Sequence, residues 1–217
     1  MFDLAFVSRN LAVFIDGLWI TLLIGSLAMA GALLGGGIVA ASKMSPRRAL
    51  AAAGSAYVEC LRNTPVLVQI FILYFGLPTL DIYPSAVASA VAALVLQNSA
   101  YLGEIYRSAI ESVPRRQMEA AQAVGMTPFK AYRVVIVPQA LRRALPGIGN
   151  QMIFIIKDTS IASTIAVAEL THAGQLLLDR SAAPYEVFLI LAAFYLALTA
   201  LLQLAVKALE LVFPVRA

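Results

Sequence analysis

The chain alternates long apolar runs with short polar breaks. Charged residues are absent from Gly17–Ser42, Asn63–Leu80, Ile82–Gly103 and Val187–Val206, and a fifth apolar stretch from Ala144 to Glu169 is interrupted only by Lys157-Asp158. A helix that crosses a bilayer needs about 20 mostly apolar residues. The pattern therefore predicts an all-α integral membrane protein with five transmembrane helices, at about 17–42, 55–78, 84–107, 144–168 and 186–207, in a single domain over 1–217. The second span is the shortest apolar segment. It must take in 55–65, with Glu59 and Arg62 neighbouring each other at one interface and Pro65 kinking the helix; alternatively, 48–62 lies on the surface as an amphipathic helix. In the first span, Gly31 and Gly35 have the four-residue spacing that lets helices approach closely in lipid. Gly is also simply tolerated in membrane helices, so both readings stand.

The one extended polar segment is 108–143, between the third and fourth spans. Within it, EAAQAVGMTPFKAYRVVIVP runs from Glu119 to Pro138. Helix formers lead to Gly125, placed where a C-terminal cap belongs. Thr127 suits an N-cap, and Pro128 suits the first helical position after it. The segment predicts two short helices joined by a tight turn, the second ending at Pro138. Ala120, Ala121 and Ala123 would give a flat face. Local physics leaves two readings equally open: a dock for another protein, or a solvated hairpin that orders the loop.

Composition agrees with a membrane protein. Of 217 residues, 61% are hydrophobic and 13% charged, against ~45–50% and ~25% in a soluble domain; mean hydropathy is +0.84. The 16 basic residues exceed the 12 acidic ones, but their positions argue for topology rather than nucleic acid. Lys43, Arg47, Arg48, Arg115, Arg116, Lys130, Arg133, Arg142, Arg143, Lys207 and Arg216 fall on one side of the five spans, and Arg9 and Arg180 on the other. Basic residues concentrate in cytoplasmic loops, so the N-terminus is placed outside and the C-terminus inside. The first residues, MFDLAFVSRN, lack the early basic cluster of a cleavable leader. The single Cys60 excludes an intrachain disulfide. Trp19 and tyrosines near span ends read as interface anchors. No phosphate-binding loop of the G-x-x-x-x-G-K-[ST] type, metal site or nucleophile–base set is present in the sequence.

Lys157-Asp158-Thr159-Ser160 falls in the middle of the fourth apolar stretch. A charge at the bilayer centre costs about 2.5–3.5 kcal/mol on insertion scales, so these groups must face a cavity or a partner. In one reading they line a water-filled substrate site with Glu104, Gln97, Asn98 and Asn150. The carboxylate and ammonium of a free amino acid would match a site that holds both Lys and acidic residues, and transporters bind substrates where helices break at the midplane. In the other reading Lys157 pairs with Glu104 or Asp158 and merely fastens spans together. His172 is placed in an outer loop, and Pro146-Gly147 is expected to let the fourth helix bend.

Glu119-Ala120-Ala121, Gly125 and Ile136-Val137-Pro138 together resemble the EAA signature of ABC-importer permeases, with Val137 before Pro138 where the signature has Leu. YVECLRNTPVLVQIFILYFGLP, NSAYLGEIYRSAIESVP and KDTSIAS are similar to the polar amino-acid uptake branch of those permeases, so the resemblance covers nearly the whole chain. It implies that Glu119, Ala120, Ala121, Gly125, Met126, Thr127, Pro128 and Phe129 form a coupling helix that docks into a cytoplasmic ATPase dimer. ATP and Mg would be bound by that partner, with no catalysis, cofactor or metal in this chain. Further implied partners are a second permease subunit, identical or paralogous, and an extracytoplasmic amino-acid-binding protein on loops 79–84 and 169–185. The expected location is the bacterial inner membrane, among its lipids, and the substrate is a polar amino acid moved by alternating access. The resemblance supports the substrate-path reading for Lys157, Asp158, Thr159 and Ser160, and Glu104, Gln97, Asn98 and Asn150 are the further candidates for that path. Rival readings are an importer of another small solute such as an opine or peptide, a non-transporting scaffold or sensor, and an intramembrane enzyme using Glu104 and Asp158.

Overall fold

The computed structural model describes residues 4–181 and 183–213. Every regular element among them is helical. Arg216, part of the loop-charge pattern, lies outside the described residues.

Helix α1 (Leu4–Lys43) is 40 residues long, about 60 Å at 1.5 Å per residue and roughly twice the hydrocarbon thickness. It starts well before the expected residue 17 because its first turns have their own packing partners. Phe14 is fully buried beside Leu170, Val187 and Ile190 and stacks on Phe194 with centroids 5.9 Å apart.

The expected second span is broken rather than kinked. Helices α2 (Arg48–Asn63) and α3 (Val66–Phe71) meet at 102°. Pro65 disfavours helical geometry in the preceding residue, and Thr64 is extended, at φ −106° and ψ 128°. The buried Gln69 side chain clasps the corner: its Nε2 donates to the carbonyl oxygens of Leu61 and Thr64, at 3.0 Å each. Helix α2 buries only Gly54 and Val58, which accounts for its amphipathic character. Helix α3 continues through a wide turn at Ile72–Gly76 and a tight one at Leu77–Leu80.

Helix α4 (Ala86–Glu111) begins at Ser85, whose Oγ accepts from the Ala88 N–H at 3.2 Å. It runs parallel to α1 at very close range. A Cβ added to Gly31 would sit 2.6 Å from Val95, and one added to Gly35 2.7 Å from Ser99. The paired glycines are therefore a helix contact surface, as their spacing suggested.

Helices α5 (Arg115–Ala123) and α6 (Pro128–Ala131) form the hairpin. Pro138 does not end its second arm. A wide turn at Tyr132–Ile136 leads straight into α7 (Val137–Asp158). The Val137 N–H reaches the Tyr132 carbonyl, five residues back. Such a bulge displaces the carbonyl that a proline ring would otherwise strike. The same device precedes Pro78, where the Leu77 N–H bonds to Ile72 O. Pro146 also lies inside α7 without ending it.

Helix α7 is antiparallel to α4: Gly147 faces Ile105 and Gln151 reaches Asn98. It stops at Asp158, and a tight helix at Thr159–Ile165 closes on Ala166 with φ +57°. Residues expected in an outer loop instead form helix α8 (Leu170–Ser181), which includes His172. Helix α9 (Pro184–Val212) runs back along α7, with Gly149 against Val206. Small residues let the core close: Ala28, Ala32, Ala90, Ala93 and Ala162 are completely buried around Ile24, Leu94 and Ile155.

Ser8–Lys43, Ala86–Glu111 and Pro184–Val212 are each long and apolar enough to cross a membrane, and the bent α2–α3 pair qualifies when taken together. Helix α7 carries Arg142, Arg143, Lys157 and Asp158 in 22 residues and does not qualify by composition. The outward face of α9 is lipid-like, with Leu196, Leu201, Leu204 and Leu211 at least 64% exposed.

Candidate coupling surface and polar layer

Two regions stand out. The first is the hairpin. Gly125 has φ +82°, and a Cβ there would meet nothing within 4 Å. The glycine is required by backbone conformation, not by crowding. The Met126 N–H donates to Ala121 O at 3.1 Å and the Gly125 N–H to Gln122 O at 2.9 Å, the double bond of a Schellman closure. Thr127 Oγ1 accepts from the Lys130 N–H at 3.4 Å, and Pro128 occupies the first helical position.

The alanines divide. Ala121 and Ala131 are buried between the arms, whereas Glu119 and Ala120 face outward. At the tip Phe129 is 76% and Val124 75% exposed, with Met126 half-buried beside them. The sequence reading named Met126 and Phe129 but missed Val124. Its signal is an apolar side chain immediately before a capping glycine in an otherwise polar helix.

The hairpin is mounted firmly. Val113, Met118 and Ile136 pack with Ala109 of α4 and Ala140 of α7. Arg143 donates to the Ser112 carbonyl oxygen and, at 3.3 Å, to Ser112 Oγ. Gln139 Nε2 donates to Gln117 Oε1 at 3.4 Å and Val135 O at 2.9 Å.

The second region is the polar layer, which does not form one cluster. Glu104 pairs with Lys43 of α1 and, at 2.8 Å, with Arg107, which also holds Glu111 at 2.7 Å. It sits level with Arg143 and Gly147. Lys157 is ten residues further along α7, about 15 Å at 1.5 Å per residue. The expected alternative of a Lys157–Glu104 pair is therefore absent. Lys157 lies over the Phe154 ring, 5.6 Å from its centroid. Asp158 is half-buried and makes no ion pair within 4.0 Å among the described residues.

Asn98 is buried and accepts from Gln151 Nε2 at 2.5 Å while donating to Leu94 O at 2.7 Å. Gln97 Oε1 is buried without a hydrogen-bond partner. Thr159 is fully buried, and its hydroxyl donates to Ile156 O at 2.7 Å. Ser160 donates to Lys157 O at 2.6 Å, and Asn150 is exposed. Gln151 was missed because a single amide in an apolar stretch carries no spacing signal.

A deeper node was also missed. Glu169 is completely buried. Its carboxylate accepts from the N–H groups of Thr171 (2.9 Å) and His172 (2.8 Å) and from the Tyr195 hydroxyl (3.1 Å). Thr21 Oγ1 accepts from the Leu170 N–H at 3.1 Å. This network ties α1, α8 and α9 beside the break after α7. No group of metal-ligating side chains occurs among the described residues.

The family model described as "Binding-protein-dependent transport system inner membrane component" matches residues 12–211. The chain is 38% identical to the probable amino-acid permease protein YxeN of Bacillus subtilis (strain 168), over 91% of this chain and 89% of that one. It is 34% identical to the glutamine transport system permease protein GlnP of Escherichia coli (strain K12), over 96% of each. The fold superposes on a chain of the crystal structure of an amino acid ABC transporter with histidines, with TM-score 0.91, 34% identity and coverage of 97% of this chain and 98% of that one.

Proposed function

The chain belongs to the family of binding-protein-dependent transport system inner membrane components, and on that premise we propose that it is the permease subunit of an ATP-driven importer of polar amino acids. Members of this family are multi-pass inner-membrane subunits of ABC transporters, and ATP hydrolysis belongs to a separate subunit. The observation that carries the coupling assignment is the Gly125 turn. It presents Val124 and Phe129 as an exposed apolar tip, mounted rigidly on the ends of α4 and α7. Both helices lead from that tip to the polar layer at Asn98 and Gln151. A push on the tip is thus transmitted along two helices rather than absorbed by a loop.

In this reading an ABC ATPase dimer, holding ATP and Mg, receives the surface formed by Glu119, Ala120 and Gly125–Phe129, with Ala121 packed beneath it. The chain makes five crossings with its N-terminus outside. Helices α1, α4 and α9 run inward, the α2–α3 pair and α7 run outward, and α8 lies at the outer end. A second permease subunit completes the path, and a loaded amino-acid-binding protein delivers substrate to the outer segments. Lys157 and Asp158 at the end of α7, Ser160 just beyond it, and Asn150 and Gln97 line the path, with the buried Asn98 and Thr159 behind them. The unpaired Asp158 and the Lys157 ammonium meet the two charges of a free amino acid. Glu104 stands apart: its pairs with Lys43 and Arg107 fasten α1 to α4 near the inner end, where it borders the exit.

Co-purification tests the dock. The wild-type chain is expected to pull down an ABC ATPase from detergent-solubilised membranes, and a Val124→Ser, Phe129→Ala double variant to lose it. Undiminished ATPase recovery with the double variant would overturn the assignment.

A further inference from the structure

A cavity of about 690 Å³ opens between the second half of α1, α4 and the start of α7, beside the packing that mounts the hairpin. Its walls include Leu33, Gly37, Met44, Tyr106, Tyr132 and Leu141, with no charged side chain among its lining. On α1 it extends from Leu33 to Met44, about 16 Å of helix and so about half of a ~30 Å hydrocarbon core. One end is apolar and deep. The other is basic: Arg47 follows directly on the lining residue Pro46, with Arg48 next to it, and Arg133 follows the lining residue Tyr132. These three arginines are exposed and make no ion pair among the described residues. Of the nearby carboxylates, Glu104 and Glu111 are already held by Lys43 and Arg107, and Glu119 lines the adjoining cavity together with Arg115.

We infer that this groove holds one anionic phospholipid of the inner leaflet, an acyl chain lying along Gly37 and the phosphate group facing Arg47, Arg48 and Arg133. The inference rests on the inward placement of the hairpin proposed above. Three observations carry it. The depth matches a single leaflet. The lining carries no charged side chain, and exposed arginines adjoin it in sequence at Pro46 and Tyr132, within a long side chain's reach of an anionic headgroup, the chemistry by which basic pockets between membrane helices bind such headgroups. Gly37 keeps the floor open, since a Cβ added there would meet no atom within 4 Å. A soluble protein segment would leave the arginines needing carboxylates and would have to bring apolar side chains about 16 Å into the membrane.

The same glycine supplies the test. Gly37→Leu places a side chain in the groove, starting from a Cβ that meets no atom within 4 Å. Native mass spectrometry of the purified transporter complex, equilibrated with phosphatidylglycerol or phosphatidylcholine, reads lipid retention. The wild type is expected to retain one phosphatidylglycerol in preference to phosphatidylcholine. Gly37→Leu is expected to lose that lipid while keeping its subunit composition. Arg47→Gln with Arg133→Gln lowers phosphatidylglycerol retention about 30-fold and abolishes the headgroup preference. Equal retention of the two lipids by the wild type, or full retention by Gly37→Leu, overturns the inference. So does loss of the ATPase or of the second permease in Gly37→Leu, which would make the groove a protein interface. Labelling a cysteine placed at Val124 from each side of sealed vesicles tests the orientation separately: access from outside only would sink the topology whatever the lipid result.

Discussion

The hairpin and the polar layer are both polar interruptions of an apolar chain, but they are built in opposite ways. The hairpin is specified locally. Gly125, Thr127 and Pro128 each satisfy a backbone requirement within four residues, and the functional surface is what the turn leaves exposed. The polar layer is specified at long range. Asn98 finds Gln151, Glu104 finds Lys43, and Glu169 finds Tyr195, all across helix boundaries. The first region should therefore fail when either its backbone turn or its apolar tip is changed, whereas at Asn98–Gln151 losing one partner should cost more than losing both.

The largest expected effect breaks the hairpin. Gly125→Val forces a β-branched residue to φ +82°, where it is a genuine outlier. ATP-dependent uptake in proteoliposomes should fall to background while insertion and yield stay normal. Uptake at the wild-type rate would remove the turn from the coupling machinery. Next comes Glu169→Gln. Removing a fully buried carboxylate that accepts four hydrogen bonds, the fourth from Thr21, should cost about 3 kcal/mol, seen as a lowered thermal unfolding midpoint in detergent. An unchanged midpoint would show that the node does not hold α1, α8 and α9 together.

The Asn98–Gln151 pair sharpens the contrast. Gln151→Leu leaves a buried acceptor unpaired and should cost about 1–3 kcal/mol, whereas Asn98→Leu with Gln151→Leu should regain most of that stability. Uptake separates the roles: a stable double variant that still transports has lost only a fastening, and a stable one that fails has lost part of the path. The smallest effect is Thr127→Ala. It removes an N-cap with a long 3.4 Å bond and should cost about 1 kcal/mol at most, with a modest drop in uptake and no loss of ATPase co-purification.

This contrast also sets what was legible in the sequence. Gly125, Thr127 and Pro128 could be read because caps and turns depend on neighbours in the chain. Gly31 and Gly35 could be read because helical periodicity puts them on one face. Pro65 marked a break, although its 102° angle is fixed by Gln69 reaching back to Leu61 and Thr64, which no local rule anticipates. Pro138 misled, since the wide turn at Tyr132–Ile136 just before it absorbs the proline and lets the hairpin continue into α7. The start of α1 at Leu4 and the burial of Glu169 depend on packing against α8 and α9. Glu104 was expected to share a polar site or an ion pair with Lys157, but it is held by Lys43, sixty-one residues away in sequence.

The most direct test of the central claim is sided uptake. Proteoliposomes containing this chain with its ABC ATPase are supplied with an amino-acid-binding protein and labelled polar amino acids on one face and ATP with Mg on the other. The account predicts uptake only when ATP is on the hairpin side and the binding protein is on the opposite side. Uptake without ATP, uptake with both supplied on one side only, or no ATP-dependent uptake by an intact complex would contradict it.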